Sequence, residues 1–190
     1  MSLTSADSLT ASSAAVAGTC PDRLTRSVRT QVRLGLGWQK TAERVVGAVR
    51  STLPDPTDLL PAHLLQGDPA CYQSHLLHAE PDGSFSIAVM VWRPGQETVV
   101  HDHVAWCVTA VLQGREYEEI FALADGGRAL VSTARNANLA GSVSGFAPPG
   151  DIHRVRNTGD GVAISMHVYG ADISCLGTSI RREYSLPVLP

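Results

Sequence analysis

This chain has little that would gather phosphates, cross a bilayer or cross-link itself. Lys and Arg number 15 against 18 Asp and Glu, a net charge of −3, so the basic footprint of a nucleic-acid binder is missing. No apolar run approaches the roughly 20 residues that a membrane-spanning helix needs. The first 20 residues are rich in Ser, Thr and Ala but carry neither a basic n-region nor a continuous apolar h-region, which argues against a secretory signal and for a cytoplasmic protein. The four cysteines, Cys20, Cys71, Cys107 and Cys175, form no C-x-x-C, so neither a zinc knuckle nor a disulfide scaffold is indicated. No internal repeat of fixed period is visible.

What remains is an ordinary globular composition, 44% hydrophobic and 17% charged over 190 residues, enough for one domain with a core and short for two. Residues 1–20 have too few large apolar side chains to offset the entropy of ordering and read as a disordered tail. Residues 21–190 form the domain. Its first part, 21–68, follows a helical period: Leu24, Val28 and Val32, then, after Gly35-Leu-Gly37, Trp38, Ala42, Val45, Val46, Val49 and Leu53 up to Pro54. These two helices are packing elements. From 69 to 170 the period changes to two. Strands are predicted over Cys71–His78, Phe85–Trp92, the histidine-bearing run after Pro94-Gly95, Trp106–Leu112, Tyr117–Leu123, Ala129–Ala134, Ser142–Ala147, Ile152–Arg156 and Val162–Tyr169, with Asp82-Gly83 as a hairpin turn. Short strands punctuated by Gly and Pro indicate a mainly β protein, an antiparallel sandwich or barrel. Residues 171–190 form a C-terminal segment.

Within that pattern three histidines stand out. His101 and His103, one residue apart in an extended run, point to the same side of a strand and can grip one metal ion. His153, at the head of another alternating run after Pro148-Pro149-Gly150, is a third candidate ligand. Ser165, His167 and Tyr169 alternate with Val162, Ile164, Met166 and Val168, so a polar stripe faces one way and an apolar one the other. Such a strand lines a pocket and backs onto a core.

The spacing Gly95-x5-His101-x-His103, continuing to Gly114, and the later Pro148-x-Gly150-x2-His153 resemble the two metal-binding motifs of the cupin superfamily, a double-stranded β-helix barrel. Within cupins, Cys107 seven residues before Gly114, His153-Arg-Val-x-Asn157 and Ser165-x-His167-x-Tyr169 resemble the thiol dioxygenases, the family of cysteine and 3-mercaptopropionate dioxygenase. The resemblance covers roughly residues 70–170. It implies Fe(II) held by His101, His103 and His153, and oxidation of a small thiol-carboxylate by O2 to its sulfinic acid. Tyr169 is expected to donate a hydrogen bond to oxygen or substrate, His167 to orient Tyr169, and Ser165 to fix the tautomer of His167. Most cupins add a glutamate ligand after the histidine pair, but Val104-Ala-Trp-Cys107-Val holds no carboxylate. The set is three neutral imidazoles, which leaves the ion its full charge and favours an anionic thiolate.

Animal cysteine dioxygenases hold the substrate carboxylate with a Tyr-x-Arg. The corresponding Tyr72-Gln73-Ser74 has no arginine, and the mercaptopropionate branch uses an arginine after the Ser-His-Tyr strand. Arg181 or Arg182 is therefore expected to bind the carboxylate through paired N–H donors, with Gln73 or His75 bordering the pocket. Cys107 matches a cysteine that can be joined by a thioether to the tyrosine matching Tyr169; the alternative is a small buried apolar residue. Trp92 and Trp106 read as barrel packing, and Asp102, between two ligands, as a structural residue pointing away from them. Competing functions are a cupin isomerase or hydrolase using zinc, nickel or manganese as a Lewis acid, and a non-catalytic cupin that binds a metabolite. Expected partners are a thiol and O2, with no nucleic acid and no membrane, in a monomer or homodimer.

Overall fold

The computed structural model describes residue 18 and residues 20–190; the expected N-terminal tail otherwise lies outside the described residues. Two helices come first, α1 (Asp22–Val32) and α2 (Trp38–Arg50), then a short α3 (Pro56–Leu59). Both long helices form where the apolar period requires. Leu24 and Val28 of α1, and Ala42, Val45 and Val49 of α2, are buried on one stripe each.

Eleven strands follow among the described residues: β1 (Gln73–Ala79), β2 (Ser86–Trp92), β3 (His101–His103), β4 (Cys107–Gln113), β5 (Arg115–Ala124), β6 (Ala129–Leu139), β7 (Val143–Phe146), β8 (His153–Asn157), β9 (Ala163–Tyr169), β10 (Ile180–Glu183) and β11 (Val188–Leu189), with a one-turn α4 (Ile173–Leu176) between β9 and β10. They build two sheets, ordered β1-β2-β9-β4-β7 and β10-β3-β8-β5-β6-β11. The architecture is the cupin barrel with N-terminal helices. β1 and β2 meet through the Asp82-Gly83 turn as expected, whereas β6 runs on to Leu139 instead of ending near Ala134. The C-terminal segment, in which alternation predicts no strand, supplies β10 as the partner of β3 and β11 as a parallel neighbour of β6.

The first sheet has two differently committed faces. Ile87, Val89, Val91, Val108, Ala110, Ile164, Met166 and Val168 turn outward onto the buried stripes of α1 and α2 and make the main core. Burying each such aliphatic side chain contributes about 1.5–3 kcal/mol. Two polar ties set the helices on this face: Arg29 donates to both carboxylate oxygens of Glu80 at 2.6 and 2.9 Å, and Arg50 Nη2 donates to the Val143 carbonyl at 2.9 Å. The opposite face of the same strands presents Met90, Trp92, Thr109, His167 and Tyr169 to the space between the sheets.

The end of β9 is fixed by Gly170, whose amide donates to the Trp106 carbonyl at 2.8 Å. A Cβ at this glycine would lie 2.1–2.4 Å from atoms of the Trp106 indole, so only hydrogen fits. Gly170→Ala is therefore expected to destabilise the protein by about 1–3 kcal/mol, because the buried indole has no room to retreat. A urea denaturation midpoint equal to that of the parent would contradict this packing.

Candidate metal centre

His101 and His153 are directly paired residues of β3 and β8, and His103 lies two residues along β3 on the same face. Pairing across the strands and alternation along one of them bring the three rings together, with centroids 4.7, 4.8 and 5.0 Å apart. One nitrogen from each ring falls within 4.8 Å of the other two, a group that can hold one ion. All three histidines are buried.

Each imidazole is held by its other nitrogen. His101 Nδ1 lies 2.9 Å from the Val99 carbonyl, His103 Nδ1 3.2 Å from Asp151 Oδ2, and His153 Nδ1 2.8 Å from Glu118 Oε1. A carbonyl or carboxylate only accepts, so Nδ1 carries the proton and Nε2 is left as the lone-pair donor on every ring. Asp151 is itself fixed, because Oδ2 also accepts the His103 amide at 2.8 Å. Burial lowers His101 well below the usual imidazole range, aided by the nearby His153 and His103; burial likewise lowers His103, aided by His153 and His167. Glu118 would be raised by burial, but its hydrogen bond to His153 brings it below the ordinary carboxylate range. Two neutral rings, a third tied to a carboxylate, and three fixed Nε2 donors fit a borderline transition-metal ion.

Asp151 and Glu118 were not legible as site residues. Asp151 stands two positions before His153 in a segment read only as a turn. Glu118 belongs to an acidic stretch, Glu116-Tyr-Glu-Glu119, whose alternation was a possible signal: Glu116 is fully buried and Glu118 faces His153.

Tyr169, His167, Thr109 and Phe146 line a small cleft with the imidazoles, and Ser179, beside β3, completes its wall. The Ser165-His167-Tyr169 row exists as a connected chain: Ser165 Oγ lies 3.0 Å from His167 Nε2, and the Tyr169 hydroxyl 3.2 Å from His167 Nδ1. Burial pushes His167 down to about 3, so its ring is neutral. Trp92, read from the sequence as packing, also donates its indole N–H to Ser165 Oγ at 3.1 Å. Cys107 sits opposite Tyr169 in the register of β4 and β9, and its Sγ lies 4.0 Å from His167 Nδ1.

The expected carboxylate binders are not brought to this cleft. Arg181 Nη2 donates to Asp102 Oδ2 at 2.6 Å and Arg182 Nη2 to the same oxygen at 3.4 Å, with the Tyr184 hydroxyl donating to it at 2.8 Å. Asp102 alternates with His101 and His103, so both arginines gather on the side of β3 away from the imidazoles. Spacing after Tyr169 could not reveal this, because it depends on β10 pairing with β3. Gln73 pairs with Val91, a residue of the helix-side core, and His75 with Val89 of the same core, so neither borders the cleft. Among the residues lining it there is no Arg or Lys.

Two outcomes follow for the metal-free and metal-loaded protein. Glu118→Ala leaves the His153 ring unanchored and should weaken metal affinity roughly 10–100-fold, read by competition with a chelator. His167 is depressed in the fold to about 3, against about 6.5 unfolded, so its contribution to stability is fully present above pH 6.5 and lost as pH falls toward 3. His101 and His103 act in the same direction. Urea midpoints of the metal-free protein should therefore fall on acidification below about pH 6.5, less steeply in His167→Gln.

Among solved structures the chain is similar to a Cupin 2 conserved barrel domain protein from Salinispora arenicola, at 24% identity over 52% of this chain and 74% of that one, TM-score 0.40. It is similar to a recombinant oxalate oxidase in complex with glycolate, at 19% identity over 56% and 54% of the two chains, TM-score 0.44. A cupin superfamily protein from Desulfitobacterium hafniense matches at 17% identity over 63% and 95%, TM-score 0.44. The family model described as cysteine dioxygenase type I matches residues 44–177, a span that takes in the second half of α2, all three imidazoles and the Ser165-His167-Tyr169 row, and the chain belongs to that family.

Proposed function

We propose that the protein is a thiol dioxygenase that converts a small thiol, cysteine or 3-mercaptopropionate, to its sulfinic acid with O2, using Fe(II) held by His101, His103 and His153. The observation that carries this reading is the opposition, across one small cleft, of three Nδ1-anchored imidazoles and the hydrogen-bonded Tyr169. Ferrous iron in such a site would supply the activation of dioxygen and the acidification of the thiol. The overall change adds both atoms of O2 to the sulfur of one thiol, RSH + O2 → RSO2H, with no further reductant.

The residues of the chain account for the rest. Three imidazoles without a carboxylate ligand favour an anionic substrate group, which a thiolate provides. Phe146, packed 4.7 Å from the His103 ring and 5.2 Å from the His153 ring, together with Met90 and Trp92, makes much of the cleft apolar and limits water beside the sulfur. Tyr169 offers its hydroxyl to the reacting oxygen or to the substrate, oriented by His167. With Arg181 and Arg182 bound to Asp102, a substrate carboxylate would be held by hydroxyl donors instead, and Thr109, Ser179 and Tyr169 line the cleft for that role. The register that sets Cys107 against Tyr169 supports a thioether between them.

The test is anaerobic loading with Fe(II) followed by cysteine, 3-mercaptopropionate or cysteamine under oxygen. One O2 should be consumed per sulfinate formed, and the two carboxylates should be preferred to cysteamine. Tyr169→Phe should lower turnover about 10–100-fold with the iron content kept. Absence of thiol-dependent oxygen uptake with all three compounds would remove this reading, and the same content of sulfinate from Tyr169→Phe as from the parent would remove the role of the tyrosine.

A further inference from the structure

The strand that carries two of the three imidazoles is paired unequally on its two sides. Against β8 only His101 of β3 has a partner in register, His153. Thr98, whose amide donates to the Val155 carbonyl at 2.9 Å, and Asp151, which accepts the His103 amide at 2.8 Å, add the other ties on that side. Against β10 every residue of β3 is paired: His103 with Ile180, Asp102 with Arg182 and His101 with Glu183. The pairing continues at both ends, where the Val104 amide donates to the Ser179 carbonyl at 3.0 Å and the Tyr184 amide to the Val100 carbonyl at 2.8 Å. A register shift between Ile180 and Arg182 leaves Arg181 as an extra residue in β10. Consecutive side chains of a regular strand would point to opposite faces, but here both guanidinium groups reach one carboxylate, that of Asp102.

Asp102 is 1% exposed, and all its donors come from the C-terminal segment. Arg181 donates from Nη2 at 2.6 Å to Oδ2 and from Nε at 3.4 Å to Oδ1, and Arg182 and the Tyr184 hydroxyl donate to Oδ2 at 3.4 and 2.8 Å. A buried carboxylate that loses such donors must regain water, which it can do only if β3 shifts. Such a shift carries His101 and His103 with it. The same segment also spans the sheet, because β10 and β11 stand at its opposite edges. Between them Tyr184 and Leu186 pack with Val100 against Phe121, Leu130 and Ile152, and the Leu130 amide donates to the Pro187 carbonyl at 2.9 Å. Val188 and Leu189 then pair with Leu130 and Val131 of β6. Residues 180–189 therefore form a strap from edge to edge. Tyr184 belongs to both of its parts, packed in the apolar cluster and with its hydroxyl on Asp102.

We propose that Asp102 is a positioning residue that couples this strap to the metal centre: the docked strap fixes His101 and His103 opposite His153, and an ion on the three imidazoles in turn holds the strap down. Such coupling is reciprocal. The factor by which the docked strap tightens metal binding equals the factor by which bound metal suppresses release of the strap. The proposal rests on the metal-binding part of the reading above and not on the identity of the substrate.

Zn(II), which imidazoles bind and which undergoes no redox change, serves as the probe. Amide hydrogen exchange of the full chain is followed by NMR without metal and with one equivalent of Zn(II). The ion should slow the Tyr184 and Leu130 amides about 5–10-fold, and leave unchanged the Gly83 amide, which donates to the Glu80 carbonyl in the β1–β2 turn. The double variant Arg181→Gln/Tyr184→Phe withdraws the two closest donors from Asp102. It should bind Zn(II) about 5–10-fold more weakly in competition with a chelator, and the metal-dependent slowing at Leu130 should disappear. Arg29→Gln, which loosens the helices on the first sheet, should keep the parent affinity. Zn(II) binding that leaves Tyr184 and Leu130 unchanged, or that slows Gly83 by the same factor, overturns the coupling while the metal reading stands. The parent alone gives that result, whether or not the double variant folds. Parent affinity in a folded double variant, or an equal loss in Arg29→Gln, overturns the role of Asp102. A parent that binds no Zn(II) would remove the metal reading and this proposal with it. Coupling in a protein that consumes no thiol supports the proposal and counts against the thiol-oxidation reading alone.

Discussion

Three imidazoles share one buried corner of this protein, and they can hold one ion only while the nitrogens that face each other are unprotonated. Two protonated rings a few ångströms apart without water would repel one another and lose their solvation together. Burial holds His101 and His103 neutral, and each Nδ1 has an acceptor: a backbone carbonyl for His101, and carboxylates for His103 and His153. These acceptors fix the tautomer, the ring orientation and the direction of the lone pairs at once. β3, although only three residues long, is held in place on both sides, by β8 and by β10, so that the lone pairs keep a common target.

The two sheets divide the remaining work. The second sheet carries the three imidazoles and Glu118, while Asp151 precedes β8; together they build a group that can hold a cation. The first carries the Tyr169-His167-Ser165 row on one face and the aliphatic core under α1 and α2 on the other, so the packing that stabilises the barrel also immobilises the groups opposite the three imidazoles. Ile164, Met166 and Val168 cannot move without moving their polar neighbours in β9. Asp102 makes a comparable link on the second sheet. By collecting Arg181, Arg182 and Tyr184 it ties the C-terminal segment to the strand that bears two of the ligands.

Much of this was legible before any coordinates. Helical spacing marked α1 and α2, and turn residues marked the hairpin at Asp82-Gly83. Period-two alternation put His101 beside His103 and separated Ser165, His167 and Tyr169 from the core side of β9. The third imidazole needed the motif spacing, since nothing local in His153-Arg-Val-Arg says which strand it will meet. The arginines show where local reading fails: Arg181 and Arg182 follow Tyr169 at a suitable distance along the chain, but they act across a sheet edge formed by residues far away in sequence. Gln73 fails for a simpler reason, because a one-residue step along β1 exchanges the cleft face for the helix face.

The sequence by itself determined which side chains share a face, because alternation is a property of a single extended strand, and it offered three histidines as metal-binding groups with no carboxylate in Val104-Ala-Trp-Cys107-Val to join them. Only the tertiary structure decided which strands became neighbours. That choice pairs His101 with His153, brings Glu118 and Asp151 to the imidazoles and turns both arginines onto Asp102. Each of these contacts joins residues separated by tens of positions, and it exists only once the loss of loop entropy has been offset by the burial of the two sheets and the helices against one another.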